Sequence, residues 1–372
     1  MIRAIIGANY GDEGKGLAVN HFTSEGTNLV VRHNGGAQSG HTVEFKDKRF
    51  VFHELSSGSF NNASTLWLNT YHPDLYTLNK EIEDFQKLTG CTPVIYAEPN
   101  TKITIIDDVF LNCFKETQSK NGSCGMGIWE CVCRNNAGYS ITIQEIKTMT
   151  VQQIYLRLLS TRTDYTLKRL KDLQLKFGNN NYAEMLNDNN ILINYATVIK
   201  ENSKYVKLAT FNDLVDKFDN VIFESGQGLL LDGDFDTEHG TPSKTGLYNI
   251  ITTLNECGKT LDEAVYVTRT YLTRHGRGNF VEEHDFGYTD QTNVFNEWQE
   301  GIKYGKFDSV ESLENRINSD CKIIKPSIFV THAMNGQIIT DVGNVDIDKL
   351  NFNNIYVSNN RFGVSDIIRR DI

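Results

Sequence analysis

The first residues whose types and spacing could do chemistry are the charged side chains of a glycine-rich loop near the start of the chain. Residues 11–16 place Asp12 and Lys15 among three glycines. Small residues let backbone N–H groups approach phosphate oxygens, and the lysine supplies a cation. A standard P-loop needs Gly at position 9 and Ser or Thr at position 16, where this chain has Asn9 and Gly16. Because no hydroxyl follows the lysine, Asp12 is the obvious carboxylate for Mg²⁺, although a plain strand–helix turn with a surface lysine stays open.

A second loop of small residues spans positions 35–42 and ends in His41 and Thr42. Its composition predicts another backbone nest for an anion. A histidine on such a loop is the usual general acid. Taken alone, His41 fits a surface turn equally well.

The segments before these loops predict the elements that position them. Residues 2–6 form an apolar run before the first loop, and residues 28–32 form another before the second. Further short β-rich runs end in polar or glycine-bearing loops at 94–96, 221–223, 264–268 and 328–330. Ligands of open parallel sheets bind outside the carboxyl ends of the strands. We therefore expect an α/β fold with a central, mostly parallel sheet, flanking helices and one site at the strand ends.

Residues 144–215 show a different pattern, with helical apolar spacing and many Lys, Glu and Gln side chains. They predict a helical insert within a single domain that spans residues 1–372. The chain shows no internal repeat and no Pro-rich linker, since it has only five prolines.

The composition excludes several classes of protein. Hydrophobic residues make up 39% and charged residues 23% of the chain, which excludes a disordered chain, a coiled coil and a collagen-like fibre. The formal charge of −10 argues against a protein that coats nucleic acid. The chain has no apolar run of about 18 residues, so we expect no membrane helix. Seven scattered cysteines predict reduced thiols and a cytoplasmic protein.

Together the two loops resemble those of the adenylosuccinate synthetase family, Gly-Asp-Glu-Gly-Lys-Gly and Gly-Gly-His-Asn-Ala-Gly-His-Thr. Residues 11–16 match the first motif fully, and residues 35–42 match the second with Ala37, Gln38 and Ser39 as replacements. Other family motifs are matched in order at 53–58, 122–128, 223–232, 239–241 and 273–278. The chain is shorter than is usual for the family, mainly after residue 280.

The resemblance implies a reaction and the residues that carry it out. Members of this family join aspartate to C6 of a purine monophosphate, using a nucleoside triphosphate and Mg²⁺. By this match Asp12 removes the N1 proton, O6 attacks the γ-phosphate, and the aspartate amine then displaces the 6-phosphate. Lys15 and His41 would stabilise the charge that develops on the transferred group. Gly40 would lend its carbonyl to Mg²⁺ beside Asp12.

The resemblance also implies three groups of binding residues. The triphosphate group comprises Gly11, Glu13, Gly14, Lys15, Gly16, Gly40, His41, Thr42, Thr331, Met334, Ser358 and Asn359. The monophosphate group comprises Asp12, Gln38, Ser123, Cys124, Arg134, Gln227 and Ser243, with Arg134 as the arginine donated across a homodimer interface. The aspartate group comprises Arg274, Thr289, Thr292, Asn293 and Lys303, with Arg277 as a further candidate. A solvated charge at Arg134 and a buried, loop-tying amide at Gln227 stay open.

Two segments depart from the family pattern. After residues 328–330 the family's guanine-reading Thr-Lys-x-Asp is replaced by residues 331–334, which end in Met334. Methionine cannot accept hydrogen bonds from guanine N1–H and N2–H₂, so we expect ATP or dATP rather than GTP as the donor. The Arg-rich aspartate loop is also missing, and residues 292–308 stand in its place.

A short chain with these departures resembles the phage branch of the family, which makes the 2-amino form of adenylosuccinate from dGMP and aspartate. Asp12 counts against that branch, because some of its members carry Ser or Gly there. The alternatives are the ordinary enzyme that uses IMP and GTP, and a catalytically silent nucleotide-binding protein. The joint presence of Asp12, Lys15 and His41 disfavours the silent protein, and Gly16 and Met334 disfavour an unrelated P-loop GTPase. We expect small-molecule substrates, a homodimer, no nucleic acid or membrane partner, and the host cytoplasm if a phage encodes the chain.

Overall fold

A large β-sheet organises the computed structural model of the chain, which describes residues 1–119, 122–233, 240–276, 280, 283–288, 298 and 301–369. The strands are β1 (Ile2–Gly7), β2 (Asn28–Arg32), β3 (His41–Phe45), β4 (Lys48–Phe52), β5 (Ser64–Trp67), β6 (Ile95–Ala97), β7 (Val206–Leu208), β8 (Asn220–Gly228), β9 (Glu263–Arg269), β10 (Leu272–Arg274), β11 (Lys303–Gly305), β12 (Ser327–Thr331), β13 (Gln337–Ile338), β14 (Val345–Asp346), β15 (Asn354–Val357) and β16 (Asp366–Arg369). The helices are α1 (Lys15–Phe22), α2 (Leu78–Thr89), α3 (Ile106–Ser119), α4 (Ile128–Asn136), α5 (Ile143–Thr148), α6 (Val151–Thr161), α7 (Leu167–Phe177), α8 (Asn181–Asn187), α9 (Asn190–Asn202), α10 (Phe211–Leu214), α11 (Tyr248–Glu256) and α12 (Val310–Asp320).

The main sheet has the strand order β16-β15-β12-β9-β1-β8-β2-β5-β6-β7. Its neighbouring strands are parallel except at one edge, where β15 and β16 are antiparallel. β1 lies near the centre, with Ala4 opposite Phe223 of β8 and Ala264 of β9. This sheet confirms the predicted fold class, and each apolar run named in the sequence coincides with one of its strands.

Helices cover both faces of the sheet, which is why its central strands carry apolar side chains on both faces. Along β1, Ala4 and Ile6 pack on one face and Ile5 packs on the other, as the two-residue period of a strand requires. The first face packs against α11 and α12, and the second packs against α1. Among the described residues, no helix is long and apolar enough to cross a membrane.

The predicted helical insert is shorter in the structure than its proposed bounds. Helices α5 to α9 fill positions 143–202, but β7 pairs in parallel with β6 at the edge of the main sheet. Val206 of β7 is buried against the core that β6 and the insert helices share. Residues 206–208 therefore belong to the sheet, where they pair with the backbone N–H and C=O groups of β6.

Candidate active site

The glycine-rich first loop joins β1 to α1 at the carboxyl edge of the sheet. Gly11 and Gly14 have φ angles of +107° and +98°, a backbone conformation that disfavours side chains. A Cβ atom on Gly16 would lie 3.2 Å from both Cβ of His41 and Oγ of Ser57. This close approach explains why glycine replaces the P-loop hydroxyl, since α1 packs directly beneath the second loop.

Glu13 shapes the first loop from inside. Its Oε1 accepts hydrogen bonds from the backbone N–H groups of Asn9 at 2.9 Å and Gly11 at 2.8 Å. Burial raises the pKa of Glu13. Lys15 is 1% exposed, and its Nζ donates to the carbonyl of Gly11 at 2.5 Å. Glu13 thus holds the loop in shape behind the cleft, whereas Lys15 reaches the cleft wall.

Asp12 is held by two cationic or polar side chains at the mouth of the cleft. Its carbonyl accepts a hydrogen bond from Nε of Arg269 at 2.7 Å, and its Oδ2 lies 3.2 Å from Nδ1 of His275. Burial alone raises the pKa of Asp12, but His275, Arg269 and Lys15 outweigh it and lower the pKa below its usual value. The carboxylate is therefore ionised at neutral pH, as a base or a metal ligand requires.

His41 lines the cleft and is anchored through one of its ring nitrogens. Its Nδ1 lies 2.6 Å from Oε1 of Glu224, and no described residue hydrogen-bonds to its buried Nε2. Burial, together with the charges of Arg32 and Lys15, lowers the pKa of His41 more than Glu224 raises it, so the free imidazole is neutral with its proton on Nδ1. A phosphoryl group beside Nε2 would stabilise the imidazolium form, because its negative charge lies next to the ring.

Glu224 and Ser57 support His41, and the sequence assigned no role to either. The Ser57 hydroxyl donates to Oε1 of Glu224, and the Ser57 N–H donates to Oε2 at 3.2 Å. Burial alone raises the pKa of Glu224, but His41, Arg32 and Ser57 together lower it to about 2. Both residues lie in matched family motifs. The signal that sequence reasoning could have used is Glu224 itself, because a glutamate inside a buried strand is rarely found without a partner.

One cleft gathers most of the predicted triphosphate group. Its lining comprises Gly11, Asp12, Gly14, Lys15, Gly16, Leu17, Gly40, His41, Thr42, Glu44, Arg269, Thr331, His332, Met334, Asn359, Asn360 and Arg361. Sequence reasoning missed Glu44 and Arg269, for which no motif gave a signal, whereas Arg361 belongs to the segment 358–361 that resembles the family's second base-contacting segment. Glu13 and Ser358 lie behind this lining.

The far end of the cleft is formed by the loops after β12 and β15. Met334 is 80% exposed there, while Thr331 is buried and donates its hydroxyl to the carbonyl of Glu13 at 2.7 Å. Ser358 is fully buried, and its hydroxyl bonds to backbone carbonyls of its own loop. These contacts give Thr331 and Ser358 a role in loop shape.

The predicted monophosphate group contains buried polar atoms that the described residues leave unsatisfied. Both amide atoms of Gln38 and Oε1 of Gln227 are buried without a hydrogen-bond partner there. The hydroxyl of Ser243 accepts from the N–H of Gly35 at 3.1 Å. Unpartnered buried polar atoms are rare in protein interiors, so they favour a polar ligand beside Gln38 and Gln227.

Ser123 and Cys124 lie on the loop before α4. The Ser123 hydroxyl accepts from the Asn112 side chain at 2.8 Å. Burial raises the pKa of the Cys124 thiol to about 11, so this group stays protonated at neutral pH. The same loop lies beside the turn that follows β10, because a Cβ on Gly276 would lie 3.2 Å from the carbonyl of Gly122.

Arg134 corrects one prediction. Its side chain is fully buried, and its guanidinium binds Asp108 at 2.8 Å and the carbonyls of Ile103 and Tyr139 at 2.8 and 2.7 Å. A guanidinium held in this way cannot extend across a dimer interface. The prediction of an intersubunit role for Arg134 is therefore wrong, and so is its alternative of a solvated charge.

Replacing Arg134 should destabilise the fold strongly. Arg134→Leu leaves the buried carboxylate of Asp108 without its partner, so we expect a loss of about 3–5 kcal/mol in the free energy of unfolding. Arg157→Leu is the matched control, because its ion pair with Glu145 is about one third exposed and should cost at most about 1 kcal/mol. Urea unfolding measures both changes, and equal losses would contradict this role.

Two residues of the predicted aspartate group can be placed. Arg274 of β10 is 4% exposed, with its guanidinium carbon 4.6 Å from the ring centre of Tyr10. Lys303 of β11 is the register partner of Arg274, and its Nζ lies 3.9 Å from Oε2 of Glu283. The predictions for Thr289, Thr292, Asn293 and Arg277 concern residues outside the described part of the chain.

The cleft suits Mg²⁺ that is shared with phosphate oxygens. Among the residues described, no group of three or more His, Cys, Asp and Glu side chains could hold a metal ion. Mg²⁺ is commonly bound by one or two carboxylates together with substrate phosphates, and needs no all-protein cage. The ionised carboxylate of Asp12 and the Gly40 backbone, which both line the cleft, fit that type of site.

Comparison with known sequences identifies similar proteins. Residues 4–306 match the model of the family described as adenylosuccinate synthetase. The adenylosuccinate synthetase of Thermosipho africanus is 27% identical over 375 residues, which cover 93% of this chain and 87% of the relative. That of Thermodesulfovibrio yellowstonii is 29% identical over 284 residues, which cover 75% of this chain and 64% of the relative. For several such relatives, the match thus spans slightly less than two thirds of their length.

Two solved structures share the fold. The fully ligated adenylosuccinate synthetase of Plasmodium falciparum has a TM-score of 0.66 at 20% identity, covering 89% of this chain and 77% of that one. The succinoaminodeoxyadenylate synthetase of cyanophage S-2L, bound to dGMP and dATP, has a TM-score of 0.66 at 12% identity. That match covers 99% of this chain and 95% of the other. At these identities the likeness concerns the fold.

Proposed function

Because the chain belongs to the adenylosuccinate synthetase family, we propose that it is a C–N ligase that joins L-aspartate to C6 of a purine nucleoside monophosphate, with cleavage of a nucleoside triphosphate. The observation that carries the proposal is the convergence of Asp12, Lys15 and His41 on one cleft. These residues supply a base, a phosphate-binding cation and an acid, which is the set that this reaction needs.

The reaction follows from the states of these side chains. Ionised Asp12 accepts the N1 proton of the purine, and the electron pair moves to O6, which attacks the γ-phosphorus as the nucleoside diphosphate leaves. Lys15 and the loop N–H groups hold the phosphate oxygens, and protonated His41 donates from Nε2 to the transferring group. The amine of aspartate then attacks C6, the C6–O6 bond breaks, and O6 leaves as inorganic phosphate, which accepts the proton that the amine loses.

Mg²⁺ fits this scheme as a bound ion that neutralises charge on the phosphoryl oxygens. Asp12 and the carbonyl of Gly40 would hold it together with the phosphates. Asp12 then has two duties, and both require the ionised carboxylate that its low pKa ensures at neutral pH.

We propose dGMP as the monophosphate and ATP or dATP as the donor. Met334 stands where the family has a guanine-reading aspartate, and the structure places it at the exposed far end of the cleft. The cyanophage protein with a similar fold was solved with dGMP and dATP, which supports the same pair for this chain.

The pair of IMP and GTP is the second candidate. Asp12 favours it, as do the names of the curated relatives, which are adenylosuccinate synthetases. An endpoint assay with aspartate and Mg²⁺ that crosses IMP and dGMP with GTP, ATP and dATP separates the candidates. Product from dGMP supports the first proposal, product from IMP alone supports the second, and no product from any combination contradicts both.

The donor preference is a separate expected result. ATP or dATP should support the reaction at least as well as GTP, because the cleft offers guanine no carboxylate at Met334, and such a charged contact is worth roughly 1.5–3 kcal/mol. Values of kcat/KM for the three donors measure this preference. A value for GTP about tenfold above that for ATP would overturn it.

We also propose a homodimer, on the family resemblance alone. Because Arg134 is buried, any residue that crosses the interface must be another one. Sedimentation equilibrium measures the state directly, and a monomer at micromolar concentration would contradict this proposal.

A further inference from the structure

His275 occupies the variable position of the matched motif at residues 273–278, and the family resemblance gives it no role. Its Nδ1 lies 3.2 Å from Oδ2 of Asp12, with the two side chains 19% and 27% exposed. We propose that His275 is a positioning residue, which holds one carboxylate oxygen of Asp12 so that the other oxygen faces the purine. This inference rests on the proposed function, in which Asp12 is the base.

The chain places His275 by means of a short strand. β9 ends at Arg269, whose Nε donates to the carbonyl of Asp12 at 2.7 Å, and β10 ends one residue before His275. Arg269, before β10, therefore binds the backbone of Asp12, and His275, after β10, contacts its side chain. Gly276, which follows, has a φ angle of +81°, so the chain turns sharply just after His275.

The contact with His275 can control the orientation of Asp12, the proposed base, which lies on the glycine-rich first loop. The loop flanks Asp12 with Gly11 and, two residues on, Gly14. Glu13 and Arg269 hold the loop backbone, so the orientation of the Asp12 carboxylate is the freedom that His275 restricts. A base acts only within hydrogen-bond reach of its proton, and a displacement of about 1 Å can cost about a hundredfold in rate. An Nδ1–H group that donates to Oδ2 fixes the carboxylate plane and leaves Oδ1 for the substrate.

Three substitutions separate this role from simple packing. The side-chain amide of Asn can place N–H near the position of Nδ1, whereas that of Gln reaches the position of Nε2. His275→Ala should lower kcat by about 10- to 100-fold, the usual effect of removing an orienting partner, with KM for both nucleotides nearly unchanged. His275→Asn should restore most of the rate, and His275→Gln should stay low. Thermal unfolding of each variant checks that the fold is kept.

An unchanged kcat in His275→Ala would overturn the proposal, and so would equal rates in the Asn and Gln variants. Crystal structures of the wild type and His275→Ala add a readout that needs no activity. We expect one orientation of the Asp12 carboxylate in the wild type and a different or split orientation in the variant. If the wild type makes no product from any nucleotide pair, the proposed function fails, and these structures decide the role of His275 separately: an identical Asp12 orientation in both would overturn it.

Discussion

Asp12→Asn should lower kcat by about 10²- to 10⁴-fold, because an amide cannot accept the N1 proton of the purine. Asparagine keeps the size of the side chain, and its amide oxygen can still accept a hydrogen bond from Nδ1 of His275. Because the variant can keep this contact, which is 3.2 Å long in the wild type, the substitution should change the structure little. Single-turnover kinetics under saturating substrates measure the loss in the chemical step.

The unfolding temperature of Asp12→Asn is the control for the fold, and its affinity for the Mg²⁺-triphosphate separates loss of the base from loss of the metal ligand. The fold should be unchanged, since Asp12 is partly exposed at the cleft and its backbone contact with Arg269 is retained. A variant that kept more than about half of the wild-type rate would show that Asp12 is not the base.

His41→Asn should cause a loss of similar size, about 10²- to 10⁴-fold in kcat. Its amide N–H can replace Nδ1–H and still donate to Glu224, so the buried carboxylate keeps its partner. What disappears is Nε2, the buried atom of this cleft-lining residue that has no hydrogen-bond partner among the described residues. The loss therefore reports the acid itself, whereas His41→Ala would add the effect of an unpaired Glu224.

His53→Asn is the matched control for His41→Asn. His53 is an exposed residue outside the second loop. Its Nδ1 lies 3.0 Å from the carbonyl of Ala37, which belongs to the second loop, as His41 does. Because His53 is not among the residues that line the cleft, we expect most of the turnover to remain. Equal losses in the two variants would mean that the second loop, and not Nε2 of His41, limits the reaction.

The fold class and the loops of the site follow from local sequence. Apolar β-branched runs that end in glycine loops predict parallel strands with a common edge, and β1, β2, β8, β9 and β12 meet that expectation. β16 was not predicted, because its pairing with β15 is a long-range contact that no local pattern specifies. The same reason applies to β7, which the sequence placed in a helical insert.

Long-range contacts also explain what sequence reasoning missed in the site. Asp12 and His275 are far apart in sequence, and only the path of β9 and β10 brings them together. For Arg134 the error was to predict a functional role where the structure shows a structural one. Nothing in its local sequence reveals that Asp108 lies beside it in the interior. The sequence reports which residue types a loop carries, and packing decides which of them reach the cleft.

The most direct test of the ligase proposal follows the oxygen at C6. dGMP and IMP, each labelled with ¹⁸O at the 6-position, are incubated separately with aspartate, ATP or GTP, and Mg²⁺, and the inorganic phosphate is analysed by mass spectrometry. We predict that the labelled oxygen appears in phosphate, one atom for each molecule of product, because O6 attacks the γ-phosphorus before the amine replaces it. Product formed together with unlabelled phosphate, or no product from either nucleotide, would contradict the assignment of Asp12, Lys15 and His41 to this chemistry.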